Sequence, residues 1–124
     1  MADDFNLVVL AGVVTHDPEI TYEEGSGTPF TTLNIEIRRS ITNADGSLGE
    51  CILHVDVIAW QSQAELCTQF LRARSRVLVS GLLDLRRWTD KDGTQQSTLR
   101  VRARRIQFLD KRAELTADAP AEPS

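Results

Sequence analysis

From Phe30 to Ile41 apolar and polar residues alternate: Leu33, Ile35 and Ile37 fall on one side, Thr32, Asn34, Glu36 and Arg38 on the other. A period of two fits a strand with one buried face and does not fit a helix. The pattern returns between Ser97 and Leu109, where Leu99, Val101 and Ala103 alternate with Thr98, Arg100, Arg102 and Arg104. Two further stretches have strand character. Cys51 to Trp60 has Val55 and Val57 for an inner face, and Arg76 to Trp88 carries Val77, Val79, Leu83 and Leu85, with Gly81 as a bulge or bend. The β-branched run from Asn6 to Val14 reads as a strand buried on both faces or entering a barrel.

The punctuation between these runs is equally specific. Thr42 to Ser47 and Asp90 to Gly93 each contain an Asp-Gly hairpin signal. Pro18 breaks the chain before Ile20-Thr21-Tyr22, and Glu23 to Gly27 is a solvated loop. Ser62-Gln63-Ala64-Glu65 has capping-box spacing, predicting a short helix with Ser62 as N-cap and an apolar side of Ala64, Leu66, Cys67, Phe70 and Leu71. The expected order is three strands, one helix and two strands. That is the plan of an all-β, five-stranded OB-fold barrel with one short α-helix between strands 3 and 4, with a small α+β sandwich as the competitor. The barrel domain is expected over 1–112. The Ala/Pro/Glu-rich segment 113–124 is expected to be a short disordered tail.

A chain of 124 residues suits one domain with a core that needs neither disulfides nor metal. No apolar run approaches the roughly 18 residues of a transmembrane helix, and the acidic start Met1-Ala2-Asp3-Asp4 is unlike a secretory signal. Both point to a soluble, cytoplasmic protein with no membrane partner. Enzymatic chemistry finds little support. His16 and His54 lie on different elements without metal-ligand spacing, and Cys51 and Cys67 have no activating neighbour in sequence.

The net charge of −4 conceals an asymmetry. Residues 1–71 hold two basic and eleven acidic side chains, a balance of −9, whereas 72–124 hold twelve basic and seven acidic, a balance of +5. Twelve of the 14 cations are Arg, which binds phosphate bidentately and stacks on bases. A single-strand-binding surface needs a cationic groove and aromatic faces. Trp88, in Arg86-Arg87-Trp88 beside a turn, is poorly placed for a core and suits base stacking. Trp60 suits either stacking or packing beneath the helix it precedes. Arg100, Arg102 and Arg104 form either a solvated, aggregation-resistant face or a stripe that tracks phosphates.

Several segments are similar to bacterial single-stranded DNA-binding proteins: Phe5 to Gly12, Asp17 to Tyr22, Val57 to Trp60, Ala64-Glu65, and Gly81 to Asp90. They span about residues 5–110 in the family's order around one helix. The resemblance implies an OB-fold that assembles as a homotetramer, binds single-stranded DNA without a cofactor, and performs no bond chemistry. By position it makes Trp60, Trp88 and His54 stacking residues, with Arg38, Arg39, Arg86 and Arg87 near phosphates. A fourth stacking position falls on Ser40 or Ile41, neither of which stacks, and His54 offers only a small ring. Each lost stack costs about 1–3 kcal/mol, so affinity per site is expected to be one to two orders of magnitude below the family norm. The end of the chain, Ala117 to Ser124, has no acidic, apolar tip, which makes tail-mediated replication or repair partners doubtful. It fits either a shortened terminus or an auxiliary paralogue. The alternative function is a primosomal-type accessory module that binds proteins in preference to DNA.

Overall fold

The computed structural model describes residues 4–109 and the backbone of 116–118. The elements are β1 (Val8–Val14), β2 (Thr21–Tyr22), β3 (Pro29–Thr42), β4 (Leu48–Trp60), α1 (Ser62–Phe70), β5 (Arg76–Thr89), β6 (Gln95–Phe108) and β7 (Thr116–Asp118). Antiparallel pairing runs β1–β5, β5–β6, β3–β4 and β1–β3. A parallel contact between β4 and β6, Val57 opposite Val101, joins the two hairpins. The five long strands therefore form a closed ring, the OB-fold barrel expected from the element order, with α1 after the third of them. β2 adds two residues to β3, and β7 pairs with β6.

Closure requires strands to cross at short range, and two glycines permit it. A Cβ on Gly12 would collide with the Glu36 carbonyl where β1 meets β3, and one on Gly81 would collide with the Arg102 carbonyl. The β5–β6 register shifts between Ser80 and Gly81, the bulge that the isolated glycine suggests. The alternating residues Leu33 and Ile35 on β3, Val57 and Ala59 on β4, and Val77 and Val79 on β5 fill the barrel. Ala64, Cys67 and Leu71 close one end from α1 and the residue that follows it. Burial pushes the Cys67 thiol up to about 12.

Both predicted hairpin turns form. Gly46 and Gly93 adopt φ of 86° and 80°, and Asp45 and Asp90 accept backbone N–H bonds from Ser47 and Thr94 at 2.9 Å each. Bonds from the Ser47 hydroxyl to Asp45 and from the Gln96 amide to Asp90, reinforced by these backbone bonds, hold both carboxyls below their ordinary range. The capping box does not form. Ser62 is already helical, and the N-cap is Gln61 at φ 57°, with no side-chain cap bond. The cause is the abrupt exit from β4: the Gln61 N–H still bonds to the Pro29 carbonyl at 2.8 Å, so Gln61 makes the turn and Ser62 cannot sit outside the helix.

Other differences concern faces. Phe70, expected on the apolar side of the helix, is 47% exposed. β1 is not buried on both faces, because Val9 is 60% exposed. Thr116–Asp118 fall in the segment expected to be a disordered tail, yet their backbone pairs with β6. The remainder of 113–124 lies outside the described residues.

Candidate nucleic-acid interface

The register decides which residues share a surface. Along β4 the outer face carries His54, Asp56, Ile58 and Trp60, opposite Glu36, Asn34, Thr32 and Phe30 on β3. Across the parallel joint, Arg102 lies beside Ile58. Farther out on β5–β6, Arg100, Thr98 and Gln96 face Asp84, Arg86 and Trp88. One curved surface in the order β3-β4-β6-β5 thus bears Trp60, His54, Trp88, Arg86, Arg100 and Arg102. A cleft of about 640 Å³ runs between Trp60, Ile58, Arg86 and Arg100, bounded by Tyr22 and Phe30. A second cleft, of about 430 Å³, adjoins it at His54, Asn34, Asp56, Thr98 and Arg100, where the two long hairpins diverge.

Trp60 does not pack beneath the helix. It lies on the outer face against Phe30, with ring centroids 5.0 Å apart and planes inclined at 39°. Trp88 is 37% exposed, and the Arg86 guanidinium sits 4.5 Å from its ring centre, a cation–π arrangement that orients both groups.

His54 belongs to a small polar network whose proton positions follow from one carboxylate. Asp56 accepts only, so the Asn34 group that faces it at 3.1 Å must be the amide nitrogen. The Asn34 oxygen then faces Thr15 Oγ1 at 3.1 Å and His54 Nδ1 at 2.9 Å. His54 therefore donates from Nδ1, leaving Nε2 for the cleft.

The arginines separate into groups that the sequence does not distinguish. Arg38 lies on the Trp60 side but is held by Glu36 at 2.6 Å and Glu50 at 3.0 Å. Its bond to Glu36, opposed by desolvation, holds that carboxyl below its usual range, while the two carboxylates raise Arg38. Arg100 is tied to Asp84 at 3.1 Å. Arg39 and Arg87 are exposed and, by alternation, sit on the opposite faces of their hairpins from Arg38 and Arg86. Arg100, Arg102 and Arg104 keep the alternation of β6, with Val101 and Ala103 buried between them. The bulge passes the register from Ala103 to Arg105, so Arg104 and Arg105 are exposed in succession before Ile106 turns inward.

Residues absent from the sequence expectation complete the surface. Phe30 and Tyr22 bound the larger cleft, and Asn34, Asp56 and Thr98 line the smaller one. The register of β3 against β4 could have placed Phe30 beside Trp60. Nothing local signals Tyr22. Along the inner-face rows of the hairpins, beyond the barrel, Leu53, Leu83, Leu85 and Leu99 are 38–65% exposed.

The sequence profile described as the single-strand binding protein family matches residues 5–109. The chain is 38% identical over 109 residues to single-stranded DNA-binding protein 2 of Chlorobaculum tepidum, covering 88% of this chain and 74% of that protein. It is 34% identical over 106 residues to the single-stranded DNA-binding protein of Helicobacter hepaticus, covering 86% of this chain and 62% of the relative. Among solved structures, a deletion mutant of the single-stranded DNA binding protein from Thermus aquaticus superposes with a TM-score of 0.74 at 31% identity, covering 87% of this chain and 52% of that one. The Plasmodium falciparum protein, solved in complex with single-stranded DNA, shares the fold with a TM-score of 0.77 at 22% identity, covering 89% and 99% of the two chains. The chain belongs to the single-strand binding protein family.

Proposed function

We propose that the protein binds and protects single-stranded DNA in the cytoplasm, during replication, recombination or repair, and does so without cofactor or bond chemistry. The observation that carries this reading is one outer surface on which a cleft is bordered by Trp60, Arg86 and Arg100, with Trp88 on the same face against Arg86. Bases stack on Trp60, Trp88 and the smaller ring of His54. Phosphates are met first by Arg86, Arg102 and Arg104, with Arg39 and Arg87 available to strand that passes onto the other faces. Arg38 and Arg100 contribute less, because a phosphate must compete with Glu36 and Glu50 for the first and with Asp84 for the second. Stacking tolerates sequence, since every base has a π-face.

The exposed leucines of the hairpins supply an apolar surface for self-association, in keeping with a homotetramer. Titration with oligo-dT, followed by tryptophan fluorescence at low salt, tests the binding. Quenching that salt reverses is expected, because phosphate contacts release counterions. Absence of quenching refutes the stacking assignment. The second reading, a module that docks on proteins, draws on the same leucines and on the carboxylates Glu36, Asp56 and Asp84 near the cleft. Micromolar or weaker DNA binding, unchanged by Trp88→Ala, would favour it.

A further inference from the structure

Asp56 is out of place on a surface for a polyanion. It stands on the outer face of β4, two residues from His54 and four from Trp60. At about 3.3 Å per residue its backbone position lies about 7 Å along the strand from that of His54 and about 13 Å from that of Trp60. It lines both clefts, each time with Thr98 and Arg100. Neither cation that lines the clefts is paired with it: Arg100 is bound to Asp84, and the Arg86 guanidinium lies over the Trp88 ring. Among the described residues, its one hydrogen bond comes from Asn34 to Oδ1, so Oδ2 accepts none on a residue that lines both clefts. A carboxylate repels phosphate, and what it attracts on a nucleic acid is an N–H on a base edge. The exocyclic amine of cytosine donates to Asp or Glu, whereas thymine presents a carbonyl at the equivalent position and is repelled.

We infer that Asp56 is a specificity-determining residue that accepts a hydrogen bond from the exocyclic amine of a base, cytosine before thymine, held in the cleft between His54 and Trp60. This rests on the single-stranded DNA-binding reading and adds a base preference to it. Binding stays broadly sequence-tolerant, since stacking supplies most of the contact, but the pyrimidines are no longer equivalent.

Asn34 makes the inference unusually testable. Its amide nitrogen donates toward position 56, so in Asp56→Asn the new carbonyl takes the Oδ1 place and the new NH2 takes the place of Oδ2. The group that faces the base changes from acceptor to donor, suiting thymine O4. Asp56→Ala removes the group altogether. Both variants delete the same negative charge and raise affinity for all DNA alike, so the ratio of affinities isolates the edge contact from the electrostatics.

Oligo-dC and oligo-dT of equal length, compared by anisotropy competition against one labelled strand, give that ratio for the three proteins. The dC:dT ratio is expected to fall by about fivefold or more in Asp56→Ala, and to fall further in Asp56→Asn. A ratio unchanged within about twofold in both variants, with dT still bound, overturns the inference and leaves DNA binding intact. Failure of the wild type to bind either strand overturns both. Asp56 is exposed and accepts one bond, so both variants are expected to fold; Asp56→Asn keeps that bond and serves if Asp56→Ala does not fold.

Discussion

Trp88→Ala removes the one aromatic ring on the candidate surface that, among the described residues, carries a cation over its face. Two contributions are lost, and they report in different assays. The cation–π contact with Arg86, at 4.5 Å on a half-exposed ring, is worth about 0.5–1 kcal/mol and lowers the thermal stability of the free protein by a few degrees at most. A base stacked on the indole is worth about 1–3 kcal/mol, so the dissociation constant for oligo-dT rises by roughly 5- to 150-fold. Fluorescence anisotropy of a labelled oligonucleotide measures that change without depending on the deleted fluorophore. Trp60 is then the one remaining tryptophan, so residual quenching on saturation reports its stacking alone. Trp88 carries no charge, and the slope of log affinity against log salt is expected to stay the same. Trp88→Phe restores most of the loss. A dissociation constant for Trp88→Ala within twofold of wild type, in protein of normal fold, refutes the stacking role.

The remaining expectations concern charge, packing and the two thiols. Arg86→Ala should lower the salt slope by about one, whereas Arg38→Ala, whose guanidinium is held by Glu36 and Glu50, should leave slope and affinity nearly unchanged in the same titrations. Gly81→Ala forces a Cβ against the Arg102 carbonyl at the bulge, and a loss of about 1–3 kcal/mol is expected in chemical denaturation. Iodoacetamide should label the exposed Cys51 in the native protein and reach Cys67 only after unfolding, which peptide mass mapping will show. The Cys67 thiol is raised to about 12 in the fold against an ordinary 9.0. Its contribution to stability is therefore complete below about pH 9 and is lost as pH rises from 9 toward 12, a loss that Cys67→Ala removes in denaturation measured across that range.

The architecture was legible because its determinants are local. The alternation of Leu33, Ile35 and Ile37 fixes a strand and its inner face, and glycines in Asp-Gly steps fix the turns. The isolated Gly81 marks the bulge. Local patterns failed where a distant backbone intervened. Ser62 has the right neighbours for a cap, but the bond from Gln61 to Pro29, far away in sequence, starts the helix one residue earlier. Phe70 has the right helical spacing, but the barrel end is filled by Ala64, Cys67 and Leu71.

The candidate site divides in the same way. Trp60, Trp88, His54 and the arginines could be named from residue type, position and family likeness. Their grouping could not. Alternation along a strand separates Arg38 from Arg39 and Arg86 from Arg87, and a bulge exposes Arg104 and Arg105 in succession. Pairing across strands brings in Phe30, Asn34 and Asp56, none of which stands out alone. The sequence by itself determined which segments are strands, which residues fill the barrel and which side chains are chemically suited to a nucleic acid, because backbone preference and burial repeat with the period of a single element. Tertiary structure alone decided which of those side chains share a face and which cations are engaged by carboxylates. Those facts depend on register and barrel closure, which set distances between residues that the chain keeps far apart.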